Sequence, residues 1–373
     1  MVAAALLAAV PIGTGCGTPA ANYPAQLVFP PRSDRLVLQL PMQPPPKENT
    51  AGRLDEEIAA LDAYGGRTVE PRSLAETARN ALDQFLTETF GTPAEPRTIS
   101  ATLKLTREHL LEGGRLYKTK CFDCHNLTGD GRGAKSGQFV VPFPRDYRQG
   151  AFKFVTSGAG LKPRRADLLR TIHNGLPGTA MPPFSLLQPG ERDLLAGYVM
   201  FLSIRGQIEF EGLCAIAEGR SFQPAERLAA LVREWEAADA APPLPSPPDD
   251  GDYESPTYHE AVRRGYQLFT AKRENSCISC HEDFGRKPVL RYEVWGTVAK
   301  PANFTETTLK GGKEPHDVYA RIRFGIAPVG MPAHPPSQYT EREVWDLVRF
   351  VTSIPYPVRL PPDVRDAIYP NPE

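Results

Sequence analysis

Apolar residues recur at helical spacing in two distant stretches of the chain. Leu194, Leu195, Tyr198, Phe201 and Leu202 form one stripe, and Val344, Leu347, Val348 and Val351 form another. Each predicts a helix whose stripe packs on a helix further upstream, at Leu116-Tyr117 and at Leu268-Phe269. Residues 53–63 and 71–90 also show helical periodicity, with charged faces. Pro71 at the start and Gly91 past the end of the second fit helix punctuation. Residues 223–237 predict a further helix. No apolar run reaches the ~20 residues that a helix needs to span a bilayer.

The two stripes belong to a repeat. Sliding the chain by 150 residues aligns Asp167 with Asp317, Ile172 with Ile322, Gly175 with Gly325 and Met181 with Met331. The match continues through Pro182 with Pro332, Glu191 with Glu341 and Ser203-Ile204 with Ser353-Ile354. Upstream, Gly113, Leu116 and Tyr117 correspond to Gly265, Leu268 and Phe269. A repeat of this length means two copies of one fold. Each copy reads as helix, long loop, short helix, Pro- and Gly-rich loop, and final helix. The fold class expected is all-α.

Composition changes this picture little. The apolar fraction of 41% and charged fraction of 23% are ordinary, so most of the chain has the means to fold. A net charge of -1 excludes a global pull toward nucleic acid. Prolines, 39 in all, cluster in 18–46 and 242–256 and mark extended or linker-like chain, the second stretch read as stiff and unpaired.

The chemistry lies in the cysteines. Four of the six form two identical frames, Cys121-Phe122-Asp123-Cys124-His125 and Cys277-Ile278-Ser279-Cys280-His281. C-x-x-C-H is the attachment signature of c-type haem. Two intervening residues let both thiols reach the vinyl groups of one porphyrin, and the histidine that follows is carried beneath the ring to bind iron. Zinc would want a second ligand pair beside each frame, and none follows. A polarizable thioether on a stiff loop suits the sixth position, and Met181 and Met331 sit in matching Met-Pro contexts.

With these motifs in view, each copy resembles a class I cytochrome c, a small all-α fold with an N-terminal C-x-x-C-H and a later Met-Pro loop. The resemblance covers somewhat over half of the chain. It implies two covalently bound haem c groups, with Cys121, Cys124, Cys277 and Cys280 as attachment points. His125 with Met181 and His281 with Met331 are the implied axial pairs. The stretch 127–133, Leu-Thr-Gly-Asp-Gly-Arg-Gly, also resembles the loop after the frame in bacterial members. The second copy departs there, with Glu282-Asp283-Phe284-Gly285, Trp295 and Pro301-Ala302-Asn303-Phe304, where the first has Pro144-Arg145-Asp146-Tyr147.

The domain plan read from these features is an export signal with a possible lipobox over 1–16, a Pro-rich and helical extension over 17–104, and a first cytochrome domain over 105–206. A helix and linker follow over 207–257, then a second domain over 258–358 and a tail over 359–373. The function implied is single-electron transfer between a donor and an acceptor protein, within or to a respiratory or dehydrogenase complex, with no catalytic residue. The alternative is a di-haem redox enzyme of the peroxidase or thiosulfate dehydrogenase type, which keeps one haem open or gives it an unusual ligand. Residues 1–16 resemble the end of a bacterial export signal, with Gly15-Cys16 as a site for a lipid anchor, and the haem chemistry points to a periplasmic location.

The remaining residues receive quieter readings. His173 and His334 lie near the methionines and are rivals for the sixth position, but they have no counterparts at the repeat offset and are read first as surface or pocket-edge histidines. Cys214 lies outside both repeats and is read first as a buried apolar residue, a disulfide partner or a haem ligand being the alternatives. The basic residues of 150–172 and 286–323, among them Lys153, Lys162, Arg164, Arg165, Arg170 and Lys310, are read first as a solvated face. Pairing with haem propionates or steering of an acidic partner are the alternatives.

Overall fold

A computed structural model of the chain describes residues 22–45, 54–137, 142–272 and 276–370. The expected export signal and Cys16 lie outside these residues.

The N-terminal extension supplies β1 (Leu36–Gln39), α1 (Leu54–Ala60), β2 (Arg67–Val69) and α2 (Glu76–Phe90). β1 and β2 pair antiparallel. Pro71 opens a short 3-10 turn, and α2 itself begins at Glu76 and stops at Gly91, where φ is positive.

The first copy follows as α3 (Arg107–Lys120), α4 (Phe122–His125), α5 (Arg165–Asn174) and α6 (Pro189–Ala217). The helix expected to close this copy runs past residue 206 and carries Cys214 near its end. α7 (Pro224–Asp239) packs back on α6. The extension is part of this body: Phe29, Leu36, Leu82, Leu86 and Phe90 share one buried core with Phe201, Ile204 and Trp235.

The second copy contains α8 (Pro256–Thr270), then two ribbons formed by β3 (His281–Glu282) with β4 (Lys287–Pro288) and β5 (Arg291–Tyr292) with β6 (Val298–Ala299). It closes with α9 (Pro315–Phe324), α10 (Glu341–Ser353) and α11 (Pro362–Ile368). The molecule is mostly helical, as the periodicity predicts. The small ribbons were not legible as periodicity, because two-residue strands have no period to show.

Each copy is built on one helix crossing, and a glycine makes it possible. A Cβ at Gly113 of α3 would lie 2.6 Å from the Leu194 carbonyl oxygen of α6. At Gly265 of α8 it would lie 2.1 Å from the Asp346 carbonyl oxygen of α10. Both distances are shorter than any real contact, so only glycine lets these backbones approach. The stripes read from the sequence fill the core on either side: Leu195, Tyr198, Phe201 and Leu202 in the first copy, and Val344, Leu347, Val348 and Val351 in the second.

Two expectations need correction. The 242–256 stretch is not an unpaired linker. Asp250 is buried and accepts from Arg342 at 2.6 Å and Arg349 at 3.2 Å, while Arg349 also donates to the Pro248 carbonyl at 3.1 Å. Two arginines of α10 thus fasten it by charge. Nor are the basic residues of 150–172 only a solvated face. Lys162 is buried, donating to the Gly150 carbonyl at 3.0 Å and to Gln207, and Arg165 is bonded to Asp193 at 2.6 Å. Long cationic side chains enter a core when carbonyls and carboxylates meet them there.

The two copies meet directly. Arg170 pairs with Asp317 at 3.2 Å, and Arg145 with Glu293 at 3.5 Å. A third small core, Val37, Ile58 and Leu61, packs on Tyr292 of the second copy. The extension therefore touches both copies.

Candidate functional site

In the first copy α3 delivers Cys121 at its C-terminal end. The chain turns at once into α4, with the His125 amide donating to the Cys121 carbonyl at 2.9 Å. Asn126 ends the turn at φ 58°. Asp130 then knits the following loop, accepting from Asn126 at 3.0 Å, Thr128 at 2.8 Å and the Arg132 amide at 2.8 Å. The loop in turn holds the frame, with the Gly133 amide donating to the Cys124 carbonyl at 3.1 Å.

Beneath His125 the chain returns. Nδ1 of His125 lies 3.2 Å from the Arg145 carbonyl oxygen, and the Tyr147 ring stacks on the imidazole at 4.8 Å between centroids. The second copy repeats this. Nδ1 of His281 lies 3.0 Å from the Ala302 carbonyl oxygen, and Phe304 lies against the ring at 4.5 Å. The Tyr147 amide donates to the Gly129 carbonyl at 2.8 Å, and the Phe304 amide to the Phe284 carbonyl at 3.0 Å. A carbonyl only accepts, so Nδ1 carries the proton in both rings and donates, which leaves Nε2 as the basic nitrogen. Burial pushes the His125 pKa down to about 4 and lowers that of His281 as well, so both rings are neutral at physiological pH. A neutral imidazole with its other nitrogen fixed on a carbonyl is a prepared metal ligand.

The methionine loops also match. The Leu176 amide donates to the Met181 carbonyl at 3.2 Å, and the Ile326 amide to the Met331 carbonyl at 3.0 Å. Each loop folds back at a glycine of positive φ, 63° at Gly175 and 70° at Gly325. A Cβ at either would lie 2.6 Å from the returning backbone, so the loop closes only on glycine. Met181 and Met331 are both half-buried.

A cavity of about 1340 Å³ is lined by Cys277, Cys280, His281 and Met331, with Phe304 and Leu347 among its apolar walls. The donor set and the apolar walls fit a covalently held porphyrin. The same cavity reaches Arg145, Lys153 and Thr179 of the first copy, so the second site opens toward the first.

Comparison with known proteins agrees. The family model described as cytochrome c oxidase, cbb3-type, subunit III matches the chain twice, over residues 108–199 and 260–351. The chain is a tandem class I cytochrome c. A solved chain of the reducing HAO-like protein complex of Kuenenia stuttgartiensis is 29% identical, covering 65% of this chain and 95% of its own, with a TM-score of 0.47. No curated protein matches.

Within the two cytochrome c domains, the rival histidines differ in place. His173 is exposed on α5. His334 is buried, lines the cavity, and its backbone amide donates to the Arg323 carbonyl at 3.2 Å. Cys214 is half-buried on α6, and burial pushes its thiol up to about 11, so it stays protonated. Sequence reasoning missed the Arg145 and Ala302 carbonyls as the histidine anchors. The signal was present: Pro144-Arg145-Asp146-Tyr147 and Pro301-Ala302-Asn303-Phe304 share proline, an Asp or Asn, and an aromatic residue in the same order.

Proposed function

We propose that this chain is a two-haem electron carrier in which each iron is held between a histidine and a methionine. Cys121 and Cys124 would bind one haem c and Cys277 and Cys280 the other, with His125 and Met181, and His281 and Met331, as axial ligands. The observation that supports this best is the duplicated anchor, an Nδ1 proton given to a carbonyl in each copy with a glycine-closed methionine loop following it.

A haem so bound supplies a one-electron iron couple, and Met/His ligation sets its potential high. The chain's own residues do the rest. The Arg145 and Ala302 carbonyls fix ring orientation and tautomer. Tyr147 and Phe304 each cover a face of one imidazole. The methionine loops, closed by Gly175 and Gly325, hold a thioether where it can saturate the metal. Such sites pass electrons to protein partners rather than transform a substrate. The partners we propose are a donor and an acceptor of a respiratory or dehydrogenase complex. We further propose that the protein works outside the cytoplasm, with a lipid on Cys16 as its membrane attachment. No helix among the described residues is long and apolar enough to cross a membrane.

The test is spectroscopic. Pyridine haemochrome on the denatured chain should count two covalent haems, and both irons should be low-spin at neutral pH in both oxidation states. Met181→Ala or Met331→Ala should each open one haem to carbon monoxide and lower its potential, while the other stays low-spin. A high-spin haem or ready carbon monoxide binding in the unaltered protein would overturn the carrier reading. Mass spectrometry of the mature N-terminus decides the lipid, and a chain starting well after Cys16 rules it out.

A further inference from the structure

Trp295 has no counterpart in the first copy's sequence, and among the described residues the first copy has no hairpin in its place. The hairpin turn is closed by the Glu293 amide donating to the Thr297 carbonyl at 2.7 Å, with Gly296 at φ 85°. Within its own domain the tip is held by the Val294 amide, which donates to the Pro328 carbonyl at 2.9 Å, while its side chains reach across to the first domain. The Trp295 indole N–H donates to the Asp146 carbonyl of the first domain at 3.1 Å. The Arg145 guanidinium lies over the indole face, 3.6 Å from its centroid. Glu293 is buried and pairs with Arg145 at 3.5 Å and with Lys153, both of the first domain. A Cβ at Gly296 would lie 2.8 Å from Leu61 and 3.1 Å from Val37, so the hairpin packs closely on the extension.

What this tip grips is the dipeptide whose first carbonyl holds His125. Arg145 gives its carbonyl to Nδ1 of His125 and its side chain to Trp295 and Glu293, and Asp146 gives its carbonyl to Trp295. Among the described residues no such grip is seen on the second domain's own anchor at Ala302, where the neighbouring Asn303 is tied locally to Thr305 and Glu306.

We propose that the Trp295 hairpin of the second domain is a positioning element for the first haem, setting the hydrogen bond from His125 to the Arg145 carbonyl and through it that haem's potential. The proposal rests on His125 being an axial ligand. A well-placed carbonyl makes the imidazole more basic and favours the oxidised iron, so loosening the grip raises the potential of the first haem. Trp295 and Glu293 are positioning residues and touch neither iron. The second domain thereby bears directly on the residue that anchors the first haem's histidine.

The experiment is a spectro-potentiometric titration of the full-length holoprotein. The two haems are assigned by repeating it in the Met331→Ala background, which marks the second haem by its carbon monoxide binding. Trp295→Ala should raise the midpoint of the first haem and shift its low-spin EPR signal, and the first midpoint should move more than the second. Trp295→Phe keeps an aromatic face under Arg145 and loses only the indole N–H, so its shift should be smaller and in the same direction. Should Trp295→Ala fail to fold, Glu293→Gln preserves side-chain size, releases Arg145, and should likewise raise the first midpoint more than the second. Unchanged first-haem midpoint and EPR signal in a variant that retains two haems overturns the proposal, as does a shift confined to the second haem. Loss of the two-haem count in the unaltered protein would instead sink the ligand assignment beneath it.

Discussion

One buried carboxylate, Asp34, adds a charged tie to the apolar core that the extension shares with the first domain. Asp34 accepts two hydrogen bonds from Arg148, at 2.7 and 2.9 Å, and one from Arg32 at 2.8 Å, with all three side chains largely buried. Burial alone would raise its pKa. The charges of Arg32, Arg148 and Arg132 outweigh that and hold it well below the usual carboxylate range. Its folded pKa therefore lies below its unfolded one, so its contribution is complete at neutral pH and is lost as pH falls through and below about 4. Asp34→Asn removes one of the two carboxylates that meet these guanidiniums, Asp146 being the other, and should cost about 3 kcal/mol at neutral pH. It should also flatten the acid limb of the stability profile. Urea unfolding at a series of pH values checks both, and an unchanged acid limb would remove Asp34 from the account.

At the scale of elements, two helix crossings carry the architecture. Gly113→Ala and Gly265→Ala each place a methyl against a carbonyl that cannot move without moving a helix. Each should lower stability by about 1–3 kcal/mol. Gly265→Ala should be the worse, because its Cβ would come within 2.1 Å of backbone against 2.6 Å for Gly113. Thermal melts followed by circular dichroism at 222 nm report the order, and equal melts for both variants and the parent would mean the helices separate freely. Helix starts follow local rules more simply. Thr340 and Glu343 form a reciprocal capping box on α10, and Ser255 caps α8 by accepting from the Tyr258 amide at 3.1 Å.

Across the whole molecule, the copies have separate cores but are not beads on a string. Arg145–Glu293, Arg170–Asp317, the Trp295 contact and the shared core of Val37, Ile58 and Leu61 with Tyr292 bind them face to face. The holoprotein should therefore unfold in one calorimetric transition. Two resolved transitions would show that the interface adds little to the stability of either domain.

The sequence alone determined the local parts. The C-x-x-C-H frames, the Met-Pro loops and the 150-residue offset are written in consecutive residues, and the stripes of 194–202 and 344–351 announce their helices by period. Glycines 113 and 265 could even be aligned before their role was visible. Tertiary structure decided which carbonyl meets which histidine, since His125 and Arg145 are joined by a loop whose path no spacing rule fixes. It also decided the fate of charges. Lys162, Asp250 and Glu293 look like ordinary solvated residues in sequence, because burial of a charge depends on partners that arrive from 45, 92 and 140 residues away. Trp295 stood out as a departure from the repeat, but only the folded chain shows that it packs on Arg145 and Asp146 of the neighbouring domain.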